Sequence, residues 1–252
     1  MQGISNVSKA VSTKTTHPIL SCIFIEAENG NIKLTANDME IGIESYVEGT
    51  VIEEGKVAIE AKLLSDIVRK LPDSEIHMET NEDFKTTIKC EKSLFTIAGK
   101  SGEDFSSLPV VEKSKYITIS QFTLREIINQ TIFSISDSEY NNVMTGELFE
   151  VSNNRLRVVA IDGHRIAIRN VELKDESQDV KVIVPGKALS YISKIVNGGV
   201  DDDVNIYFTS NHILFEFDDT IVVSRLIEST NFFDTDKMIS NDYKTRITNS
   251  KV

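Results

Sequence analysis

The stretch Val158-Val159-Ala160-Ile161-Asp162-Gly163-His164-Arg165-Ile166-Ala167-Ile168 decides how the chain is read. An apolar run enters a short polar turn, and a second apolar run leaves it. The pattern predicts strand, tight turn, strand. Asp-Gly is a strong hairpin signal because both residues tolerate positive φ. The same turn places an imidazole beside a guanidinium at the end of a sheet.

Working outward, the segment around this hairpin has a partner earlier in the chain. Residues 17–43 lie over 141–167 without a gap. Phe24 falls on Leu148, Ile25 on Phe149, Glu26 on Glu150, Asn29 on Asn153, Leu34 on Val158, Ala36 on Ala160 and Asp38 on Asp162. A second block, 57–65 over 182–190, puts Lys62 on Lys187 and continues to Ile67 on Ile192 and Arg69 on Lys194. Identical spacing in two separate blocks predicts two similar domains, 1–112 and 113–242, joined by the polar segment 106–114 that carries Pro109. The second copy opens with a strand at 116–120 that the first copy lacks, and residues 243–252 resemble the opening of a further copy. The expectation is a parent of at least three copies, with this chain lacking its first strand and everything beyond the second copy.

Within a copy the order is helix, hairpin, strand, helix, then a meander. Residues 121–134 carry Leu124, Ile127, Ile128, Thr131 and Ile132 at helical spacing, with Ser120 as N-cap. Strands at 149–151 and 156–160 flank an Asn153-Asn154 turn. A helix over 188–196 is expected to stop at Gly198-Gly199. Strands are expected at 204–208, 213–217 and 221–226. The fold class is therefore α+β, each copy setting two helices on antiparallel sheets.

Composition bounds the function. The chain has 252 residues, 40% of them apolar, enough for two real cores. It has no long apolar run and no basic, apolar start of a secretory leader, so a cytoplasmic protein is expected. Cys22 and Cys90 stand alone and read as buried free thiols of a reducing compartment. A net charge of −12 argues against a surface that grips nucleic acid everywhere, but leaves room for a local basic face. Asp162 and His164 could suggest acid–base chemistry, but no nucleophile motif accompanies them. The 4 histidines have no metal-ligand spacing, Asp201-Asp202-Asp203 lacks the pattern of a calcium loop, and no phosphate-binding glycine motif is present. No catalytic residue, metal or cofactor is expected.

The positive charge is placed in a pattern. Along residues 61–71, Lys62 and Arg69 share the face opposite Leu64, Ile67, Val68 and Leu71. In the paired helix, Lys187 and Lys194 lie opposite Leu189, Ile192 and Val196. Lys9 lies opposite Ile4, Val7 and Val11, Arg125 flanks the apolar stripe of its helix, and Lys14 precedes Pro18. Such cations can serve solubility or can face phosphates, and the residues alone leave both open.

The hairpin A-I-D-G-H-R-I-A resembles the T-D-G-H-R-L-A signature in the second domain of the bacterial DNA sliding clamp, the DNA polymerase III beta subunit. Pro18-Ile19-Leu20 and Ile183-Val184-Pro185 share in the resemblance, which covers essentially the whole chain. It implies tandem clamp domains and a non-enzymatic processivity factor for DNA replication that encircles double-stranded DNA without regard to sequence. Lys9, Lys14, Lys62, Arg69, Arg125, Lys187 and Lys194 would then face DNA. Gly163, His164, Arg165 and Ile166, with the apolar Met144 and Ile161 and with Phe233, Lys237 and Met238, would form a groove for short linear peptides. The implied partners are the replicative polymerase, the clamp loader and repair proteins. Ile161 stands where the family usually has threonine. The full-length family forms homodimeric rings, an assembly expected to be impaired here, and no membrane is implied. The alternative is a truncated clamp-fold interaction module that binds such peptides without closing a ring.

Overall fold

Strands dominate the chain, because most of its apolar residues recur with the period that puts alternate side chains on opposite faces of a sheet. The computed structural model describes residues 1–12, 15–138, 141–228, 232–239 and 245. The first half holds helix α1 (Gln2–Val7), strands β1 (Cys22–Glu28), β2 (Asn31–Asn37), β3 (Ile41–Val47) and β4 (Gly55–Glu60), helix α2 (Ala61–Val68), and strands β5 (His77–Thr80), β6 (Lys85–Cys90) and β7 (Ser93–Lys100). The second half holds β8 (Tyr116–Ser120), α3 (Gln121–Thr131), β9 (Gly146–Ser152), β10 (Arg155–Ile161), β11 (Ile166–Glu172), β12 (Val180–Pro185), α4 (Gly186–Ile195), β13 (Asp203–Phe208), β14 (His212–Phe217), β15 (Thr220–Arg225) and the short α5 (Thr235–Met238).

All pairings among the described residues are antiparallel. One sheet of eleven strands runs β5-β6-β7-β4-β1-β2-β3-β15-β14-β13-β8, and a second of four runs β11-β10-β9-β12. The long sheet crosses from one half to the other where β3 meets β15, with Ile43 opposite Val222 and Ser45 opposite Thr220. The sequence repeat is also a register repeat. Phe24, Thr35 and Glu44 are neighbours across β1, β2 and β3, as Leu148, Val159 and Ile168 are across β9, β10 and β11.

Alternation sorts the core. One face of both sheets contributes Ile23, Leu34, Ile43, Phe149, Val158, Val184, Ile213 and Phe215 to a single buried cluster. That cluster also takes Val7, then Leu64 and Ile67 of α2, Leu124 and Ile128 of α3, and Leu189 and Ile192 of α4. The four helices thus cover one shared core. The opposite faces carry smaller clusters, one of Cys22, Phe24, Ala58 and Phe105, another of Leu148, Val159 and Ile183. Cys22 and Cys90 are buried and free. The segment between β7 and β8 forms no strand or helix but is docked. Val111 packs against Leu214 and Val223, and Leu108 fills the space a side chain at Gly42 would need. No helix among the described residues is long and apolar enough to cross a membrane.

Local expectations are met in some places and corrected in others, each for a physical reason. The Ser120 hydroxyl caps α3 by accepting the Thr123 N–H at 3.2 Å. Asn153 and Asn154 sit at φ 50° and 56°, as their two-residue hairpin requires. Residues 61–71 are helical only to Val68, and Leu71 lies beyond the helix. The helix expected over 188–196 begins at Gly186 and ends at Ile195, because Val196 turns extended at φ −68° and ψ 111°. No glycine caps it; Gly198 donates its N–H to Gln121 Oε1 at 2.9 Å instead. Asp162-Gly163 is not a two-residue turn either. The turn spans four residues, and only Gly163 takes positive φ, at 88°.

Candidate functional site

The turn between β10 and β11 is organised by one carboxylate. Asp162 Oδ1 accepts the backbone N–H groups of His164 and Arg165 at 3.0 and 3.1 Å, and Oδ2 accepts from Arg165 Nε at 2.7 Å. The His164 N–H, with those of Arg165, holds the Asp162 carboxyl below the usual carboxylate range. This is an Asx-type turn, in which a side chain mimics the backbone of a tighter one. Both carboxylate oxygens of Asp162 are thereby committed to the turn. The Arg165 guanidinium lies 5.7 Å from the Phe133 ring centre, and His164 projects from an exposed backbone position.

Behind the turn, β10 is apolar on both faces: Val158, Val159, Ala160 and Ile161 are all buried. Val158 and Ala160 face the helices. Val159 joins Leu148 and Ile183 on the other side, where Val143, Ile166, Ile168, Ile227 and Phe232 pack on them. Ile161 and Ile166 face each other across the hairpin. Of the residues expected in a groove, Ile166 lies in this cluster. Met144 and Phe233 are half-buried, and it is their sequence neighbours Val143 and Phe232 that pack on the cluster. Lys237 and Met238 are exposed on α5, with Lys237 paired to Asp234 at 2.7 Å. Arg157 ties α5 to the sheet, donating to Asp236 Oδ1 at 2.6 Å, Asp236 Oδ2 at 3.2 Å and the Thr235 hydroxyl at 3.1 Å. Sequence reasoning missed Arg157, Phe133 and Phe232. The signal for Phe232 was present: an apolar run with no polar alternation implies burial on both faces, hence something lying over the outer one.

The expected cations part company once their partners are seen. Lys62 and Lys194 are exposed on α2 and α4 and make no ion pair among the described residues. Arg69 lies just past the end of α2 and pairs with Asp66 on the same helix. Lys187, the repeat partner of Lys62, reaches across to the first half, to Asp38 at 2.6 Å and Glu40 at 3.2 Å. Burial alone would lower the Lys187 ammonium, but Asp38 and Glu40 outweigh it and leave it raised. Lys187 therefore closes the joint between the halves. Lys9 is half-buried, its Nζ 3.5 Å from the Ser5 carbonyl. Arg125 donates to the Val196 carbonyl at 3.5 Å and lies 5.8 Å from the Phe122 ring centre. Lys14 lies outside the described residues, as do residues 243–252 apart from Thr245.

Residues 1–109 match the family described as the DNA polymerase III beta subunit, N-terminal domain, and residues 118–233 match its central domain. The chain is 37% identical over 252 residues to a beta sliding clamp of Staphylococcus epidermidis, covering 97% of this chain and 66% of that protein. It is 36% identical to one from Halalkalibacterium halodurans, 67% of which it covers. A crystal structure from Eubacterium rectale, assigned as a DNA polymerase III beta subunit, superposes with a TM-score of 0.93 at 57% identity, over 96% of this chain and 66% of that one. The Bacillus subtilis DNA polymerase sliding clamp gives 0.91 at 32% identity, over 96% and 65%. The chain thus spans about two thirds of the length of the relatives it matches.

Proposed function

This chain belongs to the bacterial DNA polymerase III beta subunit family, the sliding clamps, and from that premise we propose that it acts as a replication processivity factor. In this reading it is a non-enzymatic protein that helps to enclose duplex DNA and to tether polymerase, clamp loader and repair proteins through peptides laid against the β10–β11 hairpin. Two clamp units, 1–112 and 113–242, would supply its share of the enclosure, in the cytoplasm. The observation that carries the reading is the common helical layer. Helices α1 to α4, drawn from both halves, pack on one buried cluster, and Lys62 and Lys194 stand exposed on α2 and α4, free of acid partners among the described residues.

The electrostatics suit enclosure. With a net charge of −12, most of the surface repels DNA, and a few lysines on one layer supply weak, sequence-independent phosphate contacts. Weak contacts let a protein move along a duplex. At the hairpin, the apolar Ile161 and Ile166 would take an anchoring side chain, while His164 and Arg165 would orient the peptide backbone. The test is retention on closed circular duplex compared with the same duplex linearised. Release on linearisation supports enclosure. Peptide binding with no retention on either form would favour an interaction module that closes no ring.

A further inference from the structure

The outer faces of the two halves are built on one register but carry different chemistry. Leu148, Val159 and Ile168 form an apolar row in the second half, with Phe232 packed on it. The same row in the first half reads Phe24, Thr35, Glu44. There the face opens into a cavity of about 560 Å³, lined by these three residues together with Lys33, Glu103 and Phe105. Its volume lies within the range of roughly 300–1,000 Å³ usual for small-ligand sites.

The walls are fixed. The Phe24 and Phe105 rings stack at 4.9 Å, and Gly102 lies so close to Phe24 that an added Cβ would sit 1.9 Å from the ring. Thr35 is only 2% exposed, and its hydroxyl has no hydrogen-bond partner among the described residues. A buried hydroxyl left unpaired is unfavourable unless a ligand supplies the missing bond. The charges are unevenly matched. Glu26 holds Lys33 at 2.8 Å and Lys56 at 3.4 Å, and Lys56 also reaches Glu28 at 2.9 Å. Glu44 is left with Lys33 at 3.8 Å, and burial pushes its carboxyl above the usual range. Glu103 has no ion pair among the described residues. Both lysines are spent, while two carboxylates are under-compensated beside two aromatic faces.

We propose that this cavity binds a side-chain-sized organic cation, an alkylammonium or guanidinium group, with its charge toward Glu44 and Glu103 and its stem beside the Phe24 and Phe105 rings. Aromatic faces attract such cations, and a charged donor on a carboxylate makes a strong hydrogen bond. The site belongs to the first half alone and stands apart from the hairpin and the helical layer.

An amide NMR titration of the whole chain with acetyl-arginine amide tests it, with acetyl-norleucine amide and acetyl-glutamate amide as neutral and anionic probes. The expected result is saturable shifts at Lys33, Thr35, Glu44 and Gly102 with the arginine probe and none with the others. Binding should weaken on the order of tenfold in Glu44→Gln, and also in Glu103→Gln, which alters a loop residue and spares the sheet. No shifts at these residues, equal shifts with the norleucine probe, stronger shifts with the glutamate probe, or undiminished binding in both variants would each overturn it.

Discussion

In the turn at residues 38–41, Asp38 Oδ1 accepts the N–H groups of Glu40 and Ile41 at 3.0 and 2.8 Å. In the turn at residues 162–165, Asp162 Oδ1 accepts those of His164 and Arg165 in the same way. The second residue of each turn takes positive φ, 77° at Met39 and 88° at Gly163. The turns differ in the remaining oxygen. Asp38 Oδ2 takes Lys187 from the other half of the chain, whereas Asp162 Oδ2 takes Arg165 from its own turn. The local chemistry is shared, and the destination of one acceptor separates a turn that locks a joint from a turn that presents a surface.

A deeper pair of equivalent positions gives the largest expected effect. Ile23 faces Ile59 in the first half, and Glu147 faces Val184 at the same place in the second; Ile23 and Glu147 are both fully buried. Burial pushes the Glu147 carboxyl up to about 8, against a weaker downward pull from its Thr131 hydrogen bond. Thr131 Oγ1 lies 3.0 and 3.1 Å from the two carboxyl oxygens and 2.8 Å from the Ile127 carbonyl. A protonated Glu147 completes this chain by donating to Thr131, whose own proton goes to Ile127. The folded state therefore holds a proton that the unfolded state releases near 4.5. Stability is full below that value and falls as pH rises through about 8, by on the order of 5 kcal/mol. Urea unfolding across this window should show the decline in the parent and a nearly flat profile in Glu147→Gln. Parallel profiles would show that Glu147 is charged or solvated in the folded chain.

The two turns are separated next by their aspartates. Asp38→Ala loses two turn bonds and leaves Lys187 facing only Glu40, and should cost about 2–3 kcal/mol in denaturant midpoint analysis. Asp162→Ala should cost less, because Arg165 is exposed and water replaces its partner. The reverse order would mean that the joint does not depend on Asp38. The smallest effects concern φ. Met39→Gly removes the penalty of a left-handed side-chain residue and should change stability by at most about 1 kcal/mol in the favourable direction. Gly163→Ala should lose a similar amount. Thermal melts of the two variants should move in opposite directions.

What was legible in the sequence tracks what is local. The strands of the 158–168 hairpin, the Asn153-Asn154 turn and the Ser120 cap depend on neighbours within a few residues, and each is present as expected. The two-residue reading of Asp162-Gly163 failed because a carboxylate two and three residues from its donors can organise a longer turn, which the dipeptide does not reveal. The single sheet through β3 and β15 could not be read at all. Its pairing joins residues from opposite halves, and nothing in either strand marks it as a seam. Lys62 and Lys187 are indistinguishable by spacing. Only the distant Asp38 and Glu40 decide that one is committed while the other has no ion pair among the described residues.

That division of the cations offers the most direct measurement. The affinity of the chain for short duplex DNA should be followed against salt for the parent, Lys62→Ala, Lys194→Ala and Lys187→Ala. Each phosphate contact removed should lower the slope of log affinity against log salt by about one. The predicted result is that loss for Lys62→Ala and for Lys194→Ala, uniformly across duplex sequences, with an unchanged slope for Lys187→Ala. An unchanged slope in all three, or a loss confined to Lys187→Ala, would contradict a helical layer whose unpaired lysines face DNA.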